Sequence, residues 1–333
     1  MQTLISNFSD QLSEAIRIGE EAIHKFQIRN LKYEIKNVLI SGLGGSGIGG
    51  TIVSELMAIE ANVPITVNKG YFIPNFVNEN TLVIISSYSG NTEETINVME
   101  LALKRNAIVI CVTSGGKISD IAKSKSLDII TIPEKMPPRA CLGYSLTQLF
   151  FILGFYHIIG KNFKSKIEAS VKLLEEEKTN IITEAKSIAE KISKKIPVIY
   201  ATTYFEGVAV RFRQQINENA KMLCWHHVIP EMNHNELVGW KQKNEDLAVI
   251  IFRDTNEFER NNTRIEINKK IISQYTSTLI EIWSKGNSQI EKTIYFIHLG
   301  DWISYFLAEQ SGVDAVEVKV IDYLKDELSK IKE

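Results

Sequence analysis

Short apolar runs rich in β-branched residues recur along this chain, and stretches with helical periodicity fall between them. Val38-Leu39-Ile40, Pro64-Ile65-Thr66-Val67, Leu82-Val83-Ile84-Ile85, Ala107 to Val112 and Asp128 to Ile132 form the first series. The intervening helices are expected at about Gly49 to Ile59, Thr92 to Arg105 and Lys117 to Lys125. Strands that alternate with helices imply a parallel sheet covered on both faces. Ligands of such sheets bind at the carboxyl ends of the strands.

Two loops lie at those ends. The first is Ser41-Gly42-Leu43-Gly44-Gly45-Ser46-Gly47-Ile48-Gly49-Gly50, with six of the chain's 19 glycines. A backbone so rich in glycine must turn tightly or approach something closely. Gly42 to Gly47 fits G-x-G-x-x-G, but a dinucleotide fold wants an acid at the end of the second strand, and Asn68-Lys69 stands there. The second loop is Ser86-Ser87-Tyr88-Ser89-Gly90-Asn91-Thr92-Glu93-Glu94-Thr95. Hydroxyls and backbone amides at a positive helix end suit a phosphate. Helix capping by Asn91 with Glu94 is the competing explanation, and it leaves Ser87, Ser89 and Thr92 without a role. A single sugar phosphate fits both loops.

The rest of the chain repeats the pattern. A helix is expected from Leu142 to Ile159, then one long connecting helix from Ser165 to Lys195 whose charges form a solvated face. Strands at Pro197 to Ala201, Leu223 to Val228, Leu247 to Phe252 and Thr278 to Trp283 alternate with helices at Gly207 to Asn219, Glu257 to Tyr275 and Gln289 to Ser311. A terminal helix runs from about Val318 to Ile331. An N-terminal helix, Ser6 to Phe26, packs on the first half. We read an α/β chain of two doubly wound domains with parallel sheets, residues 1–160 and 161–333. The halves resemble a faded duplication, with Val198 to Ala201 matching Val38 to Ser41 and Val249 to Thr255 matching Val83 to Ser89. The second copy lacks Ser-Gly-Asn-Thr, so only the first should bind phosphate.

Composition narrows the partners. At 333 residues with 44% hydrophobic and 23% charged content, the chain can bury ample core. A net charge of -2 and a pI near 6.4 argue against nucleic acid or a membrane surface as the main partner. Leu146 to Ile159 is too short to span a bilayer. Met1 to Phe26 carries no basic leader followed by an apolar core, so no signal peptide is expected. Cys111, Cys141 and Cys224 form neither a CxxC nor an even set, so a reducing cytoplasm fits better than a disulfide framework or thiolate metal site.

Further motifs follow in order: Pro138-Arg139 with Gly143-Tyr144-Ser145, Asn217-Glu218-Asn219-Ala220-Lys221, Asn233-His234-Asn235-Glu236 and Ile321-Asp322-Tyr323-Leu324-Lys325. With the two loops, they resemble the bifunctional phosphoglucose/phosphomannose isomerases, built from two sugar-isomerase (SIS) domains. The resemblance runs from about Val38 to the C-terminus. It implies that Gly45, Ser46, Ser87, Ser89 and Thr92 hold the sugar phosphate and that Arg139 sits beside the reacting carbons. It implies Glu218 as the base, and His234 with Lys325 as the ring-opening pair. It also implies a homodimer with sites at the interface, His234 reaching the partner's site, and no metal or other cofactor. The family's Asp-Pro and Pro-Val before the terminal helix are replaced by Asp314-Ala315-Val316-Glu317-Val318, which leaves the approach of Lys325 open.

The chemistry suits these residue types. Moving a proton between C1 and C2 of a sugar needs a base, such as a carboxylate. The enediolate oxygens need a permanent cation, such as arginine. The ring oxygen needs an acid–base group in the histidine range. Two other functions fit the loops: an SIS isomerase or deglycase on another sugar phosphate, and a sugar-phosphate sensor without catalysis.

Overall fold

Alternate side chains of the inner strands go to different cores, and this organises the molecule. The computed structural model describes residues 1–26 and 34–331. Helices α1 (Gln2–Ser6) and α2 (Phe8–Ile23) precede the first series: β1 (Asn37–Ser41), α3 (Gly44–Leu56), β2 (Ile65–Asn68), β3 (Thr81–Ser86), α4 (Glu93–Lys104), β4 (Ile108–Thr113), α5 (Gly116–Ser124) and β5 (Asp128–Thr131). Helices α6 (Leu142–Phe155), α7 (Phe163–Glu176) and α8 (Lys178–Ile192) lead to the second series. That series is β6 (Ile196–Thr202), α9 (Glu206–Gln215), β7 (Trp225–Ile229), β8 (Leu247–Arg253), α10 (Glu259–Ile272), β9 (Leu279–Trp283), α11 (Gln289–Ser311) and α12 (Lys319–Ser329).

The strands form two parallel sheets, ordered β2-β1-β3-β4-β5 and β7-β6-β8-β9. In the first, Leu39 pairs with Val83 and Ile84 with Ile110. Strand period two sends Ile40, Ile84 and Ile110 into a large core and Leu39, Val83 and Cys111 into a smaller one under α4 and α5. The second sheet does the same. Ile199, Ile250 and Ile282 join the large core, while Val198, Val249 and Ile251 pack with Ile265 and Ile272 of α10. One core therefore runs continuously through both halves.

α6 and α11 supply the middle of that core. Leu142 to Gly154 of α6 are all buried, as are eighteen residues of α11. A helix apolar nearly all round must be enclosed on all sides, and these two are. α11 starts at a capping box, Ser288 with Glu291, and ends at Gly312 in the left-handed region (φ 66°).

Three expected elements differ. The single connector from Ser165 to Lys195 is two helices, α7 and α8, broken at Glu177, and both pack against α11. Ile167 and Leu174 of α7 and Ile181, Ile188 and Ile192 of α8 are buried. The charged residues share these helices with an apolar stripe that the charge run conceals. α3 begins at Gly44 rather than Gly49, so the glycines form its first turns. α6 stops at Phe155, and His157 lies in the left-handed region at φ 56°.

Candidate functional site

The two loops meet at the carboxyl ends of the adjacent strands β1 and β3. α3 rises directly from β1, and glycine is what allows it. A Cβ on Gly47 would lie 2.4 Å from the Gly42 carbonyl oxygen, and one on Gly45 would lie 2.9 Å from that of Pro138. The glycine turn is thereby pressed against the segment that carries Arg139. Ser46 Oγ accepts from the Tyr88 amide at 3.0 Å and ties one loop to the other.

In the second loop, Ser87 Oγ and Thr92 Oγ1 are 3.0 Å apart, and Ser89 Oγ accepts from the Asn91 amide at 3.3 Å. Ser46 and Ser87 are buried, whereas Ser89 is exposed. The N-cap of α4 is Thr92, without a side-chain cap bond. Asn91 Oδ1 instead accepts from the Lys117 amide at 3.0 Å, so the Asn91–Glu94 cap expected as the competitor does not form. The hydroxyls thus face the positive end of a 12-residue helix.

Arg139 follows on a short 3-10 turn, Pro138–Ala140, and is 4% exposed. Its carbonyl accepts from Arg211 Nη2 at 3.1 Å, and Arg211 pairs with buried Asp301 at 2.7 Å. Gln215 donates to the same carboxylate at 2.8 Å. α9 and α11 therefore fix the backbone that presents Arg139. Its side chain crosses to the second half, where Nη1 meets Glu218 Oε2 at 3.3 Å and Nε donates to Asn219 Oδ1 at 2.7 Å. Asn219 passes the constraint on, donating to Ser304 Oγ of α11 at 2.9 Å.

Glu218 and Asn219 are consecutive, and residues one apart on an α-helix point in different directions. Here both reach Arg139 from a π-helical turn, Ile216–Ala220, that ends α9 and closes with Lys221 in the left-handed region (φ 59°). π-turns of this kind recur at functional sites. Burial pulls the Arg139 guanidinium below its ordinary pKa, and Glu218 beside it pushes back. Glu218 remains reachable: its side chain keeps 29% of its exposure and borders a cleft of about 440 Å³ with Lys221, Met222, Leu223, Val318 and Ile321.

The altered segment before the terminal helix lies against this pair. Arg139 Nη2 donates to the carbonyls of Ala315 at 2.5 Å and Val316 at 3.1 Å. α12 itself buries no residue, and Lys325 on it is exposed. His234 ends a 3-10 turn, Glu231–His234, and is also exposed. Arg139 and Glu218 are thus brought together within the chain, while neither His234 nor Lys325 lines the cleft beside Glu218.

Comparison with known proteins decides the family. The chain is 35% identical to the bifunctional phosphoglucose/phosphomannose isomerase of Caldicellulosiruptor bescii, over 99% of each chain. It belongs to the bifunctional phosphoglucose/phosphomannose isomerase family. The Aquifex aeolicus protein of the same name is 34% identical over 96% of this chain and 99% of its own. The family model for the SIS domain matches residues 33–157, and that for the bacterial phospho-glucose isomerase C-terminal SIS domain matches residues 181–328. The fold extends further. The C-terminal domain of glucosamine-fructose-6-phosphate aminotransferase from Francisella tularensis superposes with a TM-score of 0.78 at 15% identity, covering 95% of this chain and 98% of that one.

Several residues of this family member escape sequence reading. Asn219 and Lys221 lie inside a motif singled out for Glu218, and both bond within the site. Arg211 and Asp301 are 90 residues apart and carry no local pattern. Only the position of Asp301 in the apolar middle of α11, between Leu299 and Trp302, marks a buried charge that must have a partner.

Proposed function

We propose that this chain interconverts glucose 6-phosphate, and also mannose 6-phosphate, with fructose 6-phosphate through a common enediol. The observation that carries the reading is the 3.3 Å contact of Arg139 Nη1 with Glu218 Oε2, which joins a permanent cation to a carboxylate from 79 residues away. Gly45 against Pro138 puts the phosphate loops next to that pair. The phosphate rests on Gly45, Ser46, Ser87, Ser89 and Thr92. In the open-chain aldose, Glu218 removes the C2 proton, the electrons pass toward O1, and Arg139 stabilises the enediolate. Return of the proton to C1, with a carbonyl formed at C2, gives the ketose. Glucose and mannose 6-phosphates differ only at C2, so both collapse to the same enediol.

His234 and Lys325 act on the ring oxygen and the C1 hydroxyl before proton transfer. We place His234 in the site of a second copy, giving a homodimer. The exposure of His234, away from the cleft beside Glu218, favours that arrangement. The division into domains at residue 160 and a cytoplasmic location belong to the same reading. Among the described residues no helix is long and apolar enough to cross a membrane.

A dehydrogenase-coupled assay with each aldose phosphate tests the proposal. Turnover of both is expected, and it should survive EDTA because Arg139 supplies the cation. No turnover of either substrate, or complete loss in EDTA restored by zinc, would overturn it.

A further inference from the structure

The motif that holds Glu218 ends in a charged residue for which proton transfer has no use. Lys221 Nζ donates to three backbone carbonyls: Glu218 at 2.6 Å, Asp314 at 2.9 Å and Glu317 at 2.8 Å. The carbonyls between, those of Ala315 and Val316, are taken by Arg139 Nη2. Four successive carbonyls, 314 to 317, therefore end on two cations. In an extended strand the edges are shared with neighbouring strands, so a segment held this way stands outside any sheet ladder. It needs side-chain donors to keep its shape.

Lysine matches the task. An ammonium has three N–H donors and three carbonyls converge on it, where the planar guanidinium fork suits paired acceptors. Lys221 must also adopt the left-handed conformation (φ 59°), which a side chain other than glycine takes up at a cost. That conformation turns it back over the carbonyl of Glu218.

We propose that Lys221 is a positioning residue for the isomerisation: it fastens the turn carrying Glu218 to the strap 314–317 that leads into α12. Base, Arg139 and the helix bearing Lys325 are then held as one unit. This rests on the reading of Glu218 as base. Lys221 is exposed and its truncation opens no core cavity, so positioning can be read apart from folding.

The test is Lys221→Met, which keeps the stem and removes the donors, measured beside Lys221→Arg and Glu218→Gln. Lys221→Met should lower kcat by about tenfold to a hundredfold with KM for fructose 6-phosphate within about threefold, because small misplacements of reacting groups cost that much. Hydrogen exchange of the amides from 314 to 325 should quicken, and Lys221→Arg should recover part of kcat. A folded Lys221→Met protein with kcat within about threefold of the parent would overturn the proposal, since misplacement effects exceed that. So would lost turnover with unchanged exchange over the strap. If the Met variant does not fold, Lys221→Gln is read by the same two measurements. If Glu218→Gln keeps its turnover, the base reading fails, and the exchange rates still decide whether Lys221 holds the strap.

Discussion

Arg139 spends most of its donors on the protein itself. Nε goes to Asn219, Nη2 to two strap carbonyls and one Nη1 hydrogen to Glu218. Of five guanidinium N–H groups, one is left among the described residues to meet an oxyanion. These contacts hold the guanidinium in one orientation, and the proposed role of Arg139 at the enediolate depends on that fixed orientation. A lysine has too few donors for these partners and no fixed plane. Arg139→Lys should therefore lower kcat by at least about a hundredfold, the order measured for loss of one preorganised donor. Near-parental kcat in a coupled assay would show that the fork is not needed. At this scale the sequence is partly legible. Arg139 and Glu218 stand out through motif order. Lys221 does not, because its partners are backbone carbonyls, which every residue type supplies.

Strands are the most legible elements, since runs such as Val83 to Ile85 are buried on both faces and carry β-branched residues throughout. Helix boundaries are less legible where glycine or charge dominates, as in α3 and in α7 with α8. There the deciding fact is a tertiary partner, respectively Pro138 and α11, that no local pattern records. The contact of α3 with α9 makes a prediction of its own. Glu55 of α3 accepts from the Gly207 amide at 2.8 Å, and burial raises its pKa from 4.5 to about 7. A carboxyl raised in the fold binds its proton more tightly there than in the unfolded chain. Its contribution is full below pH 4.5 and is lost as the pH rises through about 7. Glu55→Gln should be more stable than the parent at pH 8 by on the order of 2 kcal/mol, with the gap closing by about pH 4. Urea unfolding at the two pH values measures this, and equal stabilities at pH 8 would show that the carboxyl is not raised.

For the whole molecule, the duplication faintly visible in sequence has a counterpart in sheet order: β7-β6-β8-β9 repeats the order β2-β1-β3-β4 of the first sheet, which adds β5 at its edge. The shared core is not legible in sequence, because a core continuous through both halves depends on how α6 and α11 pack. Assembly makes the next prediction. If His234 serves the partner's site and Glu218 its own, mixing Glu218→Gln with His234→Ala after reversible dissociation gives hybrid dimers with one intact site. Random pairing makes about half the dimers hybrid, so roughly a quarter of sites should recover. No recovery with hybrids formed would place both residues in one chain's site. The most direct test of the account as a whole follows fructose 6-phosphate by NMR in heavy water, for the parent and Glu218→Gln. The parent should form both glucose and mannose 6-phosphates with deuterium appearing at C2. In a folded Gln variant that still binds the sugar phosphate, both products should slow together by at least about a hundredfold. Undiminished turnover by that variant, or a parent that forms neither aldose, would contradict the account.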